Sequence, residues 1–256
     1  MTKLLRADLY KLWKTRGVKI CLALNVLFAV ASVLVTSLLT KLFMVAGETF
    51  DGMTGISTLT QSLGWSSVIA IFSAVAITLF TASGFANRTE KYPVTKGYSR
   101  MEVYFSGLMT VSLFAFTMLL ASVLTSTLTA SLLWEFGPFT LDMLSGSITV
   151  IAVQALLHVA LASLMFMVAM ALKGMGEAIA CNLLILTVFA NLVCSFINRF
   201  AEGFDSNLYW ILNNMMFLTN PIPSAVDLSR GILVAAGFFL FSTLLGCVSF
   251  RKYEFK

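Results

Sequence analysis

Long apolar segments without charge dominate the pattern along the chain. Six stretches of at least 20 residues contain no Asp, Glu, Lys or Arg, namely 20–40, 52–87, 103–134, 143–172, 178–198 and 231–250. About 20 apolar residues suffice for one helix to cross a bilayer core of ~30 Å. The pattern therefore predicts an all-α integral membrane protein, a single transmembrane domain over 1–256 with spans at about 20–39, 65–85, 103–134, 147–172, 178–197 and 231–250.

Two further segments are apolar on one side or too short to span. Residues 2–16 carry Leu4, Leu9 and Leu12 on one helical face and lysines largely elsewhere, which predicts an amphipathic helix lying in the membrane interface. The stretch Leu208–Leu218 is apolar, but a helix of this length covers only ~17 Å. It is predicted to be a short outer re-entrant or interfacial segment before the last span, with a seventh span as the competing interpretation.

Small residues recur every four positions in two of the predicted spans. Such stripes let helix backbones approach closely in lipid, so both are predicted to be packing faces. They comprise Ala70, Ala74, Thr78 and Ala82 in the second span, and Thr117, Ala121, Thr125 and Thr129 in the third. Between the first two spans, residues 41–64 are predicted to be an extracytoplasmic loop punctuated by Gly47, Gly52 and Gly55.

Composition and charge agree with a membrane protein and orient it. Hydrophobic residues make up 59% of the chain and charged residues 11%, against roughly 45–50% and about 25% in soluble domains. Whole-chain soluble enzymes, secreted disulfide scaffolds and DNA-binding factors are excluded, and no nucleic acid partner is predicted. Of the 17 lysines and arginines, all but Lys41, Arg199 and Arg230 fall on one side of the six-span topology. The positive-inside rule then places both termini in the cytoplasm.

Catalytic and metal-binding patterns are missing from the sequence. A P-loop needs Gly-Lys, and this dipeptide does not occur. The single histidine, His158, cannot form a zinc-protease motif, and the predicted spans hold no pair of aspartates. The four cysteines all fall inside predicted spans without metal-ligand spacing and are interpreted as small apolar residues. We therefore expect no catalytic residue, no metal and no directly bound cofactor.

The predicted spans contain a few neutral polar residues and no charged ones in their cores. The polar residues are Asn25, Gln154, His158, Asn182 and Asn191. They could line a substrate path or form hydrogen bonds between helices, and both interpretations stay open. Ion-coupled carriers usually need a titratable group in mid-membrane, so the missing charges favour transport driven from outside the bilayer.

The cytoplasmic segment 87–104 leads directly into the long third span. It is short, basic and of mixed charge, and a helix within it could dock on a cytoplasmic partner and pass motion into the second and third spans. Here the chain resembles the permease subunits of ABC-2 type exporters, particularly the small ones of the bacitracin and lantibiotic-immunity type. The resemblance rests on the basic N-terminal helix, on Asn220-Pro221, on the tail Arg251–Lys256, and on Glu90, Lys91, Lys96, Gly97, Ser99, Arg100 and Tyr104.

The resemblance implies a fold, partners and a mechanism. The chain would be the membrane half of an ATP-driven exporter in the bacterial cytoplasmic membrane, paired with a second permease chain, identical or homologous. A separate ABC ATPase, present in two copies, would bind ATP and Mg. A coupling helix at about 88–102, with Glu90, Lys91, Lys96, Gly97, Ser99 and Arg100 as its contact residues, would sit in a cleft of the ATPase. The cargo would be an amphipathic peptide, a toxin or a drug-like molecule.

Two other function classes remain as alternatives. An autonomous secondary carrier or channel would work without an ATPase and would use a polar path at Gln154 and His158. A membrane enzyme would need a catalytic constellation, and the sequence offers none.

Overall fold

The computed structural model describes residues 1–45, 54–87, 91–134, 136–138, 140–200 and 205–251. All regular secondary structure in these ranges is helical. The helices are α1 Thr2–Lys14, α2 Arg16–Val45, α3 Gly55–Gln61, α4 Ser66–Ala86, α5 Lys91–Thr95, α6 Arg100–Leu133, α7 Leu141–Leu172, α8 Met175–Leu184, α9 Ala190–Phe200, α10 Ile211–Phe217 and α11 Ala225–Arg251.

Several helices are long and apolar enough to cross a membrane, as the sequence predicts. Among the described residues there are five such spans, formed by α2, by α3 with α4, by α6, by α7 and by α11. A sixth is present if α8 and α9 count as one broken span. The chain is thus a helical protein of the multi-pass membrane class. Within the bundle, α7 is the most enclosed spanning helix, packing most extensively against α11 and also contacting α4, α6 and α8.

The predicted spans are right in order, but several begin elsewhere. Helix α7 begins at Leu141, six residues before the predicted start at Ser147, because the Thr140 hydroxyl accepts a hydrogen bond from the Met143 amide at 3.2 Å. Helix α11 begins at Ala225, ahead of the predicted Gly231, where the Ser224 hydroxyl accepts from the Asp227 amide at 3.1 Å. Polar caps thus extend both helices beyond their apolar windows.

The fifth predicted span is broken, and the sequence does not predict this break. A π-helical turn, Ile185–Phe189, joins α8 to α9, and the two parts are bent by 42°. The extra residue in a π turn interrupts the regular ladder of backbone bonds and is a common cause of sharp bends. The segment predicted as one span over 178–197 is therefore two helices joined by a break.

The loop predicted at 41–64 is largely helical where it is described. Helix α2 continues to Val45, and α3 with a 3₁₀ turn, Ser62–Trp65, leads into α4. Gly55 is the first residue of α3 and not loop punctuation. A Cβ at Gly55 would overlap Ser131 of α6, so this glycine permits a close approach of helices. Gly47 and Gly52 lie outside the described residues.

The segment Leu208–Leu218 does not span. It forms a 3₁₀ turn, Ser206–Tyr209, and the short α10, whose seven residues cover ~10 Å. Ile211, Met215 and Leu218 are buried against the bundle, where α10 contacts α4, α7 and α11. The competing seventh span is wrong, because α10 is too short to cross a bilayer.

The two predicted small-residue stripes have different outcomes. Ala70, Ala74, Thr78 and Ala82 are all buried, and α4 packs closely on α2, α7 and α8. The stripe from Thr117 to Thr129 on α6 is only half-buried, and the buried face of α6 is instead centred on Met118, Leu119 and Ser122. The predicted packing face is therefore confirmed on α4, and the predicted stripe on α6 lies at the edge of the buried face of that helix.

Candidate functional site

The cytoplasmic segment after α4 contains a short, well-defined helix, α5. Pro93 lies in its first turn, where the missing amide proton costs no hydrogen bond. The helix ends in a Schellman turn, in which the Gly97 amide donates to the Val94 carbonyl at 3.0 Å and the Tyr98 amide donates to the Pro93 carbonyl at 3.1 Å. Gly97 has a φ of +90° and no atom within 4 Å of an added Cβ. The turn thus requires glycine for its backbone conformation and not for a close approach.

A capping box joins this turn to α6. The Ser99 hydroxyl accepts from the Glu102 amide at 3.2 Å, and the Glu102 carboxylate accepts from the Ser99 amide at 2.8 Å. These reciprocal bonds satisfy two amides that have no partner within the helix. The predicted contact residue Ser99 is therefore the start signal of α6, and a single tight turn separates α5 from α6.

One side of α5 faces the bundle and the other is exposed. Val94 and Tyr98 pack against the hydrophobic core. Tyr92, Thr95 and Lys96 are exposed, with 64% of Tyr92 accessible. An anchored helix that presents an outward face suits recognition by a partner. Of the exposed set, only Lys96 is among the contact residues predicted from the sequence; the exposure of Tyr92 and Thr95 follows from their spacing around Val94 and Tyr98.

Arg100 has a structural contact that its sequence position does not reveal. Its guanidinium Nη1 donates to the backbone carbonyl of Arg251 at 2.8 Å, which links the first residue of α6 to the last described residue of α11. Cations near a helix C-terminus satisfy free carbonyls and interact favourably with the dipole. Arg100, a predicted contact residue, therefore also links α6 to α11.

Other predicted contact residues are described in part. Lys91 begins α5, but its side chain lies outside the described residues, and so does Glu90 as a whole. Tyr104, at the start of the second turn of α6, is fully buried. Its ring lies 5.5 Å from that of Phe166 on α7, and its hydroxyl donates to the Thr243 carbonyl of α11 at 3.4 Å. The segment is thus followed at once by a residue that joins three long helices.

Three of the polar residues inside the spans form hydrogen bonds to a neighbouring helix. Asn25 Nδ2 donates to the Met118 carbonyl at 3.0 Å, and Asn182 Nδ2 donates to Thr78 Oγ1 at 2.8 Å. Both side chains are buried. The contacts join α2 to α6 and α8 to α4, which is the pattern of interhelical hydrogen bonding. The side chain of Asn191 lies outside the described residues.

Gln154 also links two helices, whereas the described hydrogen bond of His158 lies within its own helix. Gln154 Nε2 donates to the Met215 and Leu218 carbonyls at 2.5 and 3.1 Å, so it holds α10 and the residue after it against α7. His158 Nδ1 lies 2.8 Å from the Gln154 carbonyl, one turn earlier in the same helix. Both side chains are buried. The two residues are adjacent as the sequence predicts, and Gln154 contacts backbone carbonyls rather than an open path.

The described residues offer no evident centre for metal chemistry. They contain no group of three or more His, Cys, Asp or Glu side chains that could hold a metal ion. All four cysteines, Cys21, Cys181, Cys194 and Cys247, are free thiols.

Comparison with protein families finds one family model that covers the segment containing this site. A family model described as a protein of unknown function (DUF2705) matches residues 18–255. The chain belongs to this family. The DUF2705 match runs from the start of α2 beyond the end of α11, so it includes α5, the capping box and the Arg100 link to α11, whereas α1 precedes it. A comparison with curated proteins finds no match.

Proposed function

We propose that this DUF2705 protein is the membrane permease subunit of an ATP-driven ABC-2 type exporter. The observation that carries the proposal is the α5–α6 junction, where an anchored helix with an exposed face leads through a capping box into a long spanning helix. At 1.5 Å per residue, the 34 residues of α6 extend ~51 Å, well beyond a ~30 Å bilayer core. Force applied to α5 would therefore act on the end of a rigid rod.

The contacts of α6 support a mechanical role for that rod. Helix α6 packs against α2, α3 and α7, and Tyr104 near its start touches residues of α7 and α11. The Arg100 bond to Arg251 adds a second link to α11. A displacement of α5 would shift several spans together because protein interiors are close-packed and transmit strain.

The proposed partners and cargo follow from the same interpretation. Two copies of a separate ABC ATPase would bind ATP and Mg and dock on the exposed side of α5. A second permease chain would complete the substrate path in the bacterial cytoplasmic membrane. The charge-free span cores suit an amphipathic peptide, a toxin or a drug-like cargo. The side-chain amides of Asn25, Gln154 and Asn182 donate to neighbouring helices, which gives the carrier alternative less support.

Thr95→Trp tests the docking face. Thr95 is exposed, and its hydroxyl bonds only within α5 among the contacts described, at 2.9 Å from the Tyr92 carbonyl. A bulky indole there should clash with a docked partner and lower recovery of the ATPase about tenfold or more, since tenfold corresponds to ~1.4 kcal/mol. The measurement is quantitative mass spectrometry of proteins that co-purify with the tagged chain from its native host in mild detergent.

The matched control is Met175→Trp. Met175 is 40% exposed at the start of α8, in another turn assigned to the cytoplasm, so this variant places the same indole ring away from α5. It should leave recovery unchanged. If Thr95→Trp recovers as much ATPase as the parental protein does, the ATPase does not dock on this side of α5. Parental protein that brings down no ATPase, from cells shown to express one, would overturn the exporter proposal in favour of an autonomous carrier.

A further inference from the structure

A groove of about 420 Å³ lies between α1 and the α5 turn. Helix α1 contributes Lys3, Ala7 and Lys11 to its lining, and α5 and its turn contribute Tyr92 and Lys96. The volume lies within the range of about 300–1,000 Å³ typical of small-molecule sites. Two elements that are far apart in the chain, one before the first span and one after the second, thus form a single concave surface.

The groove collects positive charge from both elements. Lys3, Lys11 and Lys96 line it together with one acidic residue, Asp8. The Asp8 carboxylate accepts a hydrogen bond from the Ser106 hydroxyl of α6 at 2.5 Å. Among the described lining residues, cations therefore outnumber anions, and the one carboxylate is engaged by the bundle.

The groove lies beside the ends of spanning helices. Leu4 and Leu12 of α1 are buried in the core, which holds α1 against the bundle. The Lys11 ammonium lies 4.9 Å from the centre of the Phe80 ring, near the end of α4. Val103, in the first turn of α6, also lines the groove. These contacts put the groove at the level where α4 ends and α6 begins. The positive-inside rule predicts that this side of the protein faces the cytoplasm.

We propose that this groove binds the phosphate-bearing headgroup of an anionic phospholipid. Lysine ammonium groups bind phosphate as point charges, and basic pockets beside the cytoplasmic ends of spanning helices suit anionic headgroups. The cavity is lined by apolar Leu4, Pro93 and Val103 as well as by the lysines. That mixed lining suits a phosphate joined to a glycerol and acyl chains better than a soluble phosphate ester.

A lipid in this groove would bridge α1 and α5. It would neutralise lysines that otherwise repel one another across the cavity and so favour the described position of α5. The site needs no ATPase, so its test is independent of the exporter proposal.

Native mass spectrometry of the full-length protein in mild detergent tests the site. We expect phosphatidylglycerol to bind more tightly than phosphatidylcholine with the same acyl chains. Lys3→Gln with Lys96→Gln should weaken phosphatidylglycerol binding about tenfold or more, since each lysine near an anionic headgroup is worth about a factor of five. Ala7→Trp, which fills the groove without changing charge, should weaken it as well.

The control is Lys14→Gln with Lys19→Gln, which removes the same charge at two exposed lysines that do not line the groove. It should leave binding unchanged, and all variants should keep the parental thermal unfolding temperature. If both double variants weaken phosphatidylglycerol binding equally, the lysines act only through general surface charge and the proposed site is wrong. If Ala7→Trp leaves binding unchanged, the lipid does not occupy the groove and the proposal is also wrong. Full competition by soluble glycerol phosphate would assign the groove to a soluble ester and not to lipid.

Discussion

Replacing Gly146 by alanine is expected to destabilise the protein by about 2 kcal/mol, within the range of overpacking in a closed contact. Gly146 lies in α7, and an added Cβ would overlap the backbone carbonyl oxygen of Pro221. A backbone atom cannot move aside as a flexible side-chain tip can, so α7 and the Asn220-Pro221 turn would have to separate. The measurement is thermal unfolding of the purified protein in detergent, followed by tryptophan fluorescence.

Gly237→Ala provides the matched control for Gly146→Ala. Gly237 also lies within a long helix, α11, but an added Cβ there meets no atom within 4 Å. Alanine favours a helix over glycine by about 1 kcal/mol, so this variant should unfold at the parental temperature or slightly above it. Equal behaviour of the two variants would contradict the close contact between α7 and Pro221.

Gln154→Leu is expected to cost about 2–4 kcal/mol and to release α10 from the bundle. The variant leaves the Met215 and Leu218 carbonyls without the amide that now donates to them at 2.5 and 3.1 Å. Each buried carbonyl left unsatisfied costs about 1–3 kcal/mol. Hydrogen–deuterium exchange should show faster exchange in 211–218, and thermal unfolding should show the loss of stability.

The control for Gln154→Leu is the same substitution at Gln61, the other glutamine of the chain. Gln61 is exposed at the end of α3, so its loss should leave both measurements unchanged. The carrier alternative makes the opposite prediction for Gln154. If Gln154 lined a substrate path, Gln154→Leu would alter transport while exchange in α10 stayed at the parental rate.

The sequence was a good guide where a signal is local. The third predicted span, 103–134, and α6, Arg100–Leu133, differ by a few residues because charged residues border the apolar run and Ser99 provides a cap. The helix before the first span was also predictable, since the spacing of Leu4 and Leu12 on one face corresponds to their burial. Both features depend on residues within a few turns of one another.

The sequence was a poor guide where the partner lies far along the chain. The Thr117–Thr129 stripe has the same period as the buried stripe on α4, yet α6 turns a different face inward. Arg100 resembles a free contact residue in the sequence, but its partner is a carbonyl 151 positions away. A period defines a helical face and leaves open which neighbour, if any, covers that face.

The sequence by itself determined that this is a helical membrane protein with apolar segments of spanning length. A bilayer requires every backbone polar group to be satisfied within the segment, so about 20 uncharged apolar residues predict a spanning helix without knowledge of its neighbours. Only the tertiary structure decided that Gln154 holds α10, that Arg100 joins α6 to α11, and that α1 and α5 share a basic groove. These contacts join residues distant in sequence, and their geometry follows from how the helices pack as a whole.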